Sequence, residues 1–177
     1  GAHFLLSQWL NLPLDVELKV IGDGPDFTEL KQKYKRPNII FLGKKLPSRV
    51  AAEMLKSRFL IQPSLWYETM GLTMLEAFQC GTPVIGFKIG TRTEFISHMN
   101  NGILCEEDNL CETILKCEVM SNAKYKKLQN GAVASYNEYA ESIEKLLKNM
   151  NYKILEKENE VFFKYAPRKN FKKPSKK

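Results

Sequence analysis

The sequence has no run of about 18 consecutive apolar residues, the length that a transmembrane helix needs. Its first dozen residues also lack the basic start and the small-residue cleavage site of a secretory signal. Both absences predict a cytoplasmic protein, for which any membrane contact would be peripheral.

Residues that bind metals or form disulfides are scarce. The sequence has four cysteines and two histidines. The cysteines show no C-x-x-C spacing and lie far from the histidines along the chain, which argues against a zinc site. They fall in or beside predicted helices and strands, so we expect reduced thiols in the core at Cys80, Cys105, Cys111 and Cys117.

Basic residues outnumber acidic ones, 27 to 20, but the excess is confined to the end of the chain. Residues 164–177 hold seven lysines and arginines and no acid, so the rest of the sequence is neutral overall. A nucleic-acid-binding domain would carry its basic residues on the fold itself, interleaved with aromatics. The distribution therefore argues against a nucleic-acid partner and leaves contact with an anionic membrane as a role for the basic end.

Short apolar runs alternate with helical patterns along residues 1–150. The predicted strands are Val16–Ile21, Asn38–Gly43, Phe59–Ser64, Pro83–Phe87 and Gly102–Cys105. The predicted helices are Gly1–Leu10, Phe27–Tyr34, Pro47–Lys56, Gly71–Cys80, Thr93–His98, Asn109–Val119 and Lys124–Leu147. Strands this apolar are typical of a parallel sheet with helices on both faces. The sequence thus predicts an α/β fold, a doubly wound Rossmann-like domain, over residues 1–150.

Both ends differ from a complete domain of this kind. The first predicted element, Gly1–Leu10, is an amphipathic helix with no strand before it, so we expect the first strand to be missing from this sequence. Residues 151–177 form a C-terminal extension, in which Tyr165–Lys177 mixes proline, serine and lysine without periodicity. Such a composition cannot bury enough apolar surface to order itself, and it predicts a disordered basic tail.

Ligands of a doubly wound sheet bind at the carboxyl ends of its strands, where helix N-termini direct free N–H groups at anions. Three predicted loops lie there: Gly22–Pro25, Gly43–Leu46 and Ser64–Thr73. Gly22 and Gly24 alone are more typical of a turn than of a phosphate loop, because the third glycine of a dinucleotide fingerprint is absent. The third loop is the most informative.

In the third loop, Gly71 allows the backbone to approach a ligand, and the helix that follows offers free N–H groups near Leu72 and Thr73. Glu68 precedes this helix start and Glu76 follows it by one turn, leaning back toward the same opening. Two carboxylates that can accept hydrogen bonds from hydroxyl groups would therefore flank a phosphate-binding site. This arrangement suits a sugar nucleotide. The alternative is that both glutamates are solvated surface residues.

The string from Glu68 to Ile85 resembles the retaining glycosyltransferases of family 4, which have the GT-B fold. Seven residues separate Glu68 from Glu76, Gly71 lies between them, and Gly81-Thr82-Pro83-Val84-Ile85 follows. Weaker matches extend the resemblance over roughly residues 1–147: Gly22-Asp23-Gly24-Pro25, Ile40-Phe41-Leu42-Gly43, Glu94-Phe95-Ile96 and Asn101-Gly102-Ile103-Leu104. The resemblance implies that the chain is the C-terminal, donor-binding half of such an enzyme.

The resemblance also implies roles for individual residues. Glu76 would hold the ribose hydroxyls of a nucleoside-diphosphate sugar, and Glu68, the catalytic candidate, would contact hydroxyls of the donor sugar. Further donor-binding residues would be Gly22 in the first loop, Lys44, Lys45 and Leu46 beside the base, and Met70, Gly71, Leu72 and Thr73 around the sugar and phosphates. For Lys44 and Lys45 the alternative is a solvated pair.

The reaction implied by the resemblance is transfer of a sugar to an acceptor glycan or glycolipid with retention of the anomeric configuration. Positive groups and a helix dipole would stabilise the leaving diphosphate, and the sequence has no Asp-x-Asp pair to hold Mg²⁺. We therefore expect no metal or other cofactor. The acceptor site would lie on an N-terminal domain outside this sequence, so the chain alone should not turn over.

Other interpretations stay open. The chain is alternatively a sugar-nucleotide-binding module without catalysis, or part of a phosphorylase or epimerase on the same GT-B architecture. Arg92 either reaches a sugar carboxylate or phosphate or is exposed in its loop. Trp66 and Tyr67 either pack against the sugar or cover the end of the sheet.

Overall fold

The computed structural model describes residues 1–67 and 71–149. In chain order the elements are α1 (Ala2–Trp9), β1 (Leu18–Ile21), α2 (Phe27–Lys33), β2 (Ile39–Gly43), α3 (Pro47–Lys56), β3 (Leu60–Gln62), α4 (Leu72–Gln79), β4 (Val84–Phe87), α5 (Arg92–Phe95), β5 (Gly102–Cys105), a 3₁₀ turn (Glu107–Asn109), α6 (Leu110–Glu118) and α7 (Asn122–Asn149). Every predicted strand and helix is present. The largest difference is at α5, which begins at Arg92 and ends at Phe95, earlier than the predicted helix.

All pairs of strands are parallel, but the hydrogen bonds divide the strands between two sheets. β1 pairs with β2, with Leu18 opposite Ile39. The second sheet has the order β3–β4–β5, with Ile85 opposite both Ile61 and Ile103. The predicted single sheet is therefore split between β1 and β3, and residues of both strands line a groove.

Two apolar clusters cover the two faces of the second sheet. Ile85 and Phe87 pack into a cluster with buried residues of α1, α2 and α6. Val84 points to the opposite face and packs with buried residues of α3, α4 and α7. Each fully buried aliphatic or aromatic side chain contributes about 1.5–3 kcal/mol. Helices on both faces explain why all of β4 is buried, and they confirm the predicted α/β, doubly wound, Rossmann-like fold.

The four cysteines are free thiols, as predicted. Cys105 and Cys117 are buried in the cluster with α1 and α6, while Cys80 and Cys111 are half-buried. Burial raises the pKa of Cys80 to about 11 and that of Cys117 to about 11, so both thiols stay protonated at neutral pH. Among residues 1–67 and 71–149, no three His, Cys, Asp or Glu side chains form a group that could hold a metal ion.

The helices within the described ranges are too short or too polar to cross a membrane. The predicted basic tail lies outside the described residues. The division into residues 1–150 and 151–177 accordingly stays a prediction.

Candidate functional site

The start of α4 has the geometry that its sequence predicts. Gly71 is the N-cap, with a φ of 56° in the left-handed region, which a glycine adopts without strain. A side chain at Gly71 would also overlap the terminal methyl group of Met74. The apolar face of α4 is buried, whereas Leu72, Thr73 and Glu76 are exposed at its N-terminal end.

Thr73 and Glu76 line a groove of about 730 Å³ between β1 and β3. Residues of both strands and of α1 and α3 contribute to its lining. At the carboxyl ends of the strands, the lining includes Ile21 and Pro63 together with Thr73 and Glu76. A threonine hydroxyl and a carboxylate therefore stand at the carboxyl ends of parallel strands, the usual ligand position in this class of fold.

The N-terminus of α1 lies at the same end of the groove. Ala2, its first residue, lines the groove, and a side chain at Gly1 would overlap the carbonyl oxygen of Pro63. The unpaired N–H groups and positive dipole end of a helix attract anions. Two helix starts, those of α1 and α4, thus favour negative charge at one opening.

The first two predicted loops meet at the ends of β1 and β2. The N–H of Gly22, at a φ of 142°, donates a hydrogen bond of 3.1 Å to the carbonyl oxygen of Gly43. Lys44 Nζ lies 3.8 Å from an oxygen of Asp23 in an exposed ion pair. Lys45 and Leu46 are exposed as well. These residues lie at the carboxyl ends of β1 and β2. The described residues that line the groove do not include Gly22, Lys44, Lys45 or Leu46.

Glu68 and Met70 lie outside the described residues. The proposed sugar contact of Glu68 and the backbone contact at Met70 therefore stay predictions. The structure describes the loop up to Tyr67 and again from Gly71.

Arg92 differs from both sequence-based alternatives. It is completely buried instead of exposed in a loop, so its side chain presents no surface to a ligand. Its Nε donates to the carbonyl oxygen of Phe87 at 3.2 Å, and its Nη2 donates to that of Trp66 at 3.4 Å. The Arg92 side chain passes over Gly86, where a Cβ would lie 3.4 Å from Arg92 Cδ.

The two aromatic residues of the loop do not cover the end of the sheet. Trp66 is 80% exposed and Tyr67 is 82% exposed. The backbone of this loop is nevertheless held close to the loop after β4, because a Cβ at Gly90 would lie only 2.9 Å from the Tyr67 ring. Both aromatic side chains project from the same end of the sheet as the start of α4.

An ion pair in the groove was not predicted from the sequence. Lys19 Nζ on β1 lies 3.0 Å from a Glu53 oxygen on α3 and 3.5 Å from Glu17. The hydrogen bond with Glu53 raises the pKa of Lys19, and the same bond lowers the pKa of Glu53. Single residues 34 positions apart carry no spacing signal that would have revealed this pair.

Parallel strands with helices on both faces define a Rossmann-like domain, and its opening is flanked by helix N-termini. The model of the family described as glycosyl transferases group 1 matches residues 1–120. The chain belongs to this family. The resemblance noted in the sequence is thereby confirmed as far as the glycosyl transferases group 1 family.

Two curated relatives match part of the chain. The N-acetyl-alpha-D-glucosaminyl L-malate synthase of Bacillus anthracis is 38% identical over 97 residues, which are 52% of this chain and 25% of that protein. The phosphatidylinositol N-acetylglucosaminyltransferase gpi3 subunit of Schizosaccharomyces pombe is 33% identical over 104 residues, which are 56% of this chain and 23% of that protein. The chain thus spans about a quarter of the length of these relatives.

A solved structure supports the fold. The Anabaena protein HepE, in complex with UDP and glucose, superposes with a TM-score of 0.65 and 24% identity. The superposition covers 82% of this chain and 45% of HepE. The α/β fold with parallel strands matches that of GT-B glycosyltransferases.

Proposed function

We propose that the chain is the donor-binding half of a retaining glycosyltransferase of family 4, which transfers a sugar from a nucleoside-diphosphate sugar to an acceptor. The observation that carries the proposal is the opening at the carboxyl ends of β1 and β3, where Thr73 and Glu76 stand beside the starts of α1 and α4. Family membership and the UDP and glucose in the HepE complex support it.

The chemistry of this opening matches the parts of such a donor. The first turn of α4, from Gly71 to Thr73, offers N–H groups and a positive dipole end to the diphosphate. Glu76 is exposed on the same helix and can accept hydrogen bonds from both ribose hydroxyls. As the glycosidic bond breaks, charge develops on the leaving diphosphate, and the helix starts stabilise it without requiring a metal or other cofactor.

The rest of the proposed enzyme comprises the first strand of this fold and an N-terminal acceptor domain. The split between the two sheets supports the missing strand, because β1 and β3 both face the groove and neither pairs with the other. The greater length of the relatives supports a further domain. The acceptor is then a glycan or glycolipid held across the cleft, and this chain alone does not turn over.

The proposed setting is glycan biosynthesis in the cytoplasm, with the basic residues of 164–177 attaching the enzyme to the anionic face of a membrane. Each basic residue near such a surface contributes up to about 1 kcal/mol. A glycolipid acceptor would be presented at that surface.

Calorimetric titration of the full-length protein with nucleoside diphosphates and intact donors tests the proposal. Bonds from Glu76 to the ribose are made to both ligands, so Glu76→Ala should weaken both by about 2–3 kcal/mol, or roughly 30- to 150-fold. Glu68→Ala should leave nucleoside diphosphate affinity nearly intact and lower turnover, because its contact lies beside the bond that breaks.

Glu107→Ala is the matched control, since Glu107 is exposed on the 3₁₀ turn far along the chain from α4. It should change neither affinity. If Glu76→Ala and Glu68→Ala behave like this control, both acids are ordinary surface residues. Binding of donor without release of nucleoside diphosphate, for any acceptor offered, would instead indicate a binding module.

A further inference from the structure

We propose that Arg92 is a positioning residue that holds the loop Leu65–Tyr67, which directly precedes Glu68 in the chain, by binding the carbonyl oxygen of Trp66. The inference concerns how the loop is held, and only its catalytic consequence rests on the proposed function. It follows from the burial of Arg92, from its hydrogen bonds and from the exposure of the loop side chains.

Arg92 is the only charged residue that is buried within the described part of the chain. None of the ion pairs among these residues includes it, and its Nη1 is buried without a hydrogen-bond partner there. A buried cation without a counter-charge costs free energy, and an apolar residue of similar size is often as stable or more stable. Among the described residues, the guanidinium is bound by backbone carbonyl groups and not by a carboxylate.

The hydrogen bonds of the guanidinium connect two loops at the carboxyl end of the sheet. One donor binds the last carbonyl group of β4, at Phe87, and another binds Trp66 in the loop after β3. Only a long side chain with several fixed donors can make both bonds at once. The N-terminus of α5 thus fixes the backbone two residues before Glu68.

The side chains of the loop contribute little to holding it. Trp66 and Tyr67 are exposed, and Ser64 adds only local contacts of 3.4 and 3.5 Å to the backbone of Trp66. The close approach of Gly90 to Tyr67 brings the two loops together at a second point. Arg92 therefore supplies a hydrogen bond of 3.4 Å to Trp66 from a separate element, whereas the contacts of Ser64 are local to the loop.

Arg58 is a matched control within the same molecule. It also donates to two carbonyl oxygens, from Nε to Cys117 at 3.1 Å and from Nη2 to Met120 at 2.9 Å. It lies just before β3, at the opposite end of that strand, over the ring of Tyr125. Its bonds join α6 to the fold and do not reach the loop.

The test incorporates 5-fluorotryptophan into the full-length protein and follows Trp66 and Trp9 by fluorine NMR, with assignments from Trp66→Phe and Trp9→Phe. Trp9 is buried and its Nε1 donates to the carbonyl oxygen of Val16, so it reports on the core. Arg92→Met should shift and sharpen the Trp66 resonance and leave that of Trp9 in place. Arg92→Lys, which keeps the charge but not both bonds, should have a smaller effect.

Measurements of kcat, of the Kd of nucleoside diphosphate and of the melting temperature complete the test. Arg92→Met should lower kcat by about tenfold or more, because a small displacement of a catalytic loop is costly, while the Kd of nucleoside diphosphate changes less than about twofold. Arg58→Met should lower the melting temperature and leave the Trp66 resonance and kcat unchanged.

An unchanged Trp66 resonance in Arg92→Met would overturn the inference, whatever the activity. A shifted resonance with an unchanged kcat would show that the loop position does not matter for catalysis and would also overturn it. If the unmodified protein fails to bind any nucleoside diphosphate, the proposed function fails, and the role of Arg92 in holding the loop is still decided by the resonances.

Discussion

Single residues at the start of α4 determine whether the candidate site can form. Gly71 combines a left-handed φ of 56° with a crowded position against Met74. Another residue there would strain the backbone and displace the methionine side chain, which is fully buried in the cluster with α3 and α7. The backbone conformation of the proposed phosphate-binding site therefore depends on the glycine, and so does the packing of Met74 beneath it.

Gly71→Ala should lower the free energy of unfolding by about 1–2 kcal/mol, because alanine in the left-handed region is strained. Urea denaturation of the variant and the unmodified protein measures the difference. Gly24→Ala is the control, since a Cβ at Gly24 meets no atom within 4 Å. It should change stability by less than about 0.5 kcal/mol. Equal losses in both variants would show that the conformation of Gly71 imposes no special constraint.

At the scale of elements, the groove lies between the two sheets, and an ion pair lies in it. It separates β1 from β3, so the two sheets share no hydrogen bonds. The ion pair between Lys19 and Glu53 connects β1 to α3 across one side of it. Because both side chains are partly exposed, the pair stabilises the fold only modestly.

Glu53→Gln should lower stability at neutral pH by about 0.5–1 kcal/mol. The pKa of Glu53 in the folded protein lies below its usual value of 4.5, so its contribution is present above pH 4.5 and is lost as the pH falls through the folded value. The difference from the unmodified protein should therefore vanish in acid. The raised pKa of Lys19 keeps that side chain charged throughout this range.

Urea denaturation at a series of pH values measures this dependence. Glu112→Gln is the control, because it removes an exposed pair with Lys116 within one helix and should change stability by less than about 0.5 kcal/mol. A difference for Glu53→Gln that persists unchanged at low pH would contradict an electrostatic origin.

At the scale of the whole molecule, charge is unevenly distributed. The net charge of +7 comes from the end of the chain, and the remainder is neutral overall. The described elements obtain their stability from two apolar clusters, to which residues up to Tyr139 contribute. The basic end is therefore suited to a role that is separate from folding.

Removal of residues 163–177 should leave the melting temperature nearly unchanged and weaken binding to anionic liposomes at low salt. The seven basic residues there attract an anionic surface, and salt screens that attraction. Sedimentation with anionic and with neutral liposomes, at low and high salt, measures the effect on the full-length protein. A drop in melting temperature of more than a few degrees, or equal liposome binding with and without these residues, would contradict the prediction.

The sequence by itself determined the order of the elements, the parallel fold and the start of α4. These depend on local information: apolar runs of strand length, helical periodicity and a glycine just before the helix. The position of Glu76 one turn after the helix start followed from the same helical pattern. The family was evident because its characteristic residues lie within one short stretch, from Glu68 to Ile85.

Only the tertiary structure decided that the sheet is split, that Arg92 is buried and that Lys19 meets Glu53 in the groove. Arg92 and Trp66 are 26 residues apart, and Lys19 and Glu53 are 34 apart. Such contacts form when separate βα units pack together, and no periodicity along the chain records them. An arginine after a glycine turn is ordinarily solvated. Here the guanidinium is buried because it binds the carbonyl group at the end of β4 and that of Trp66 in the loop after β3.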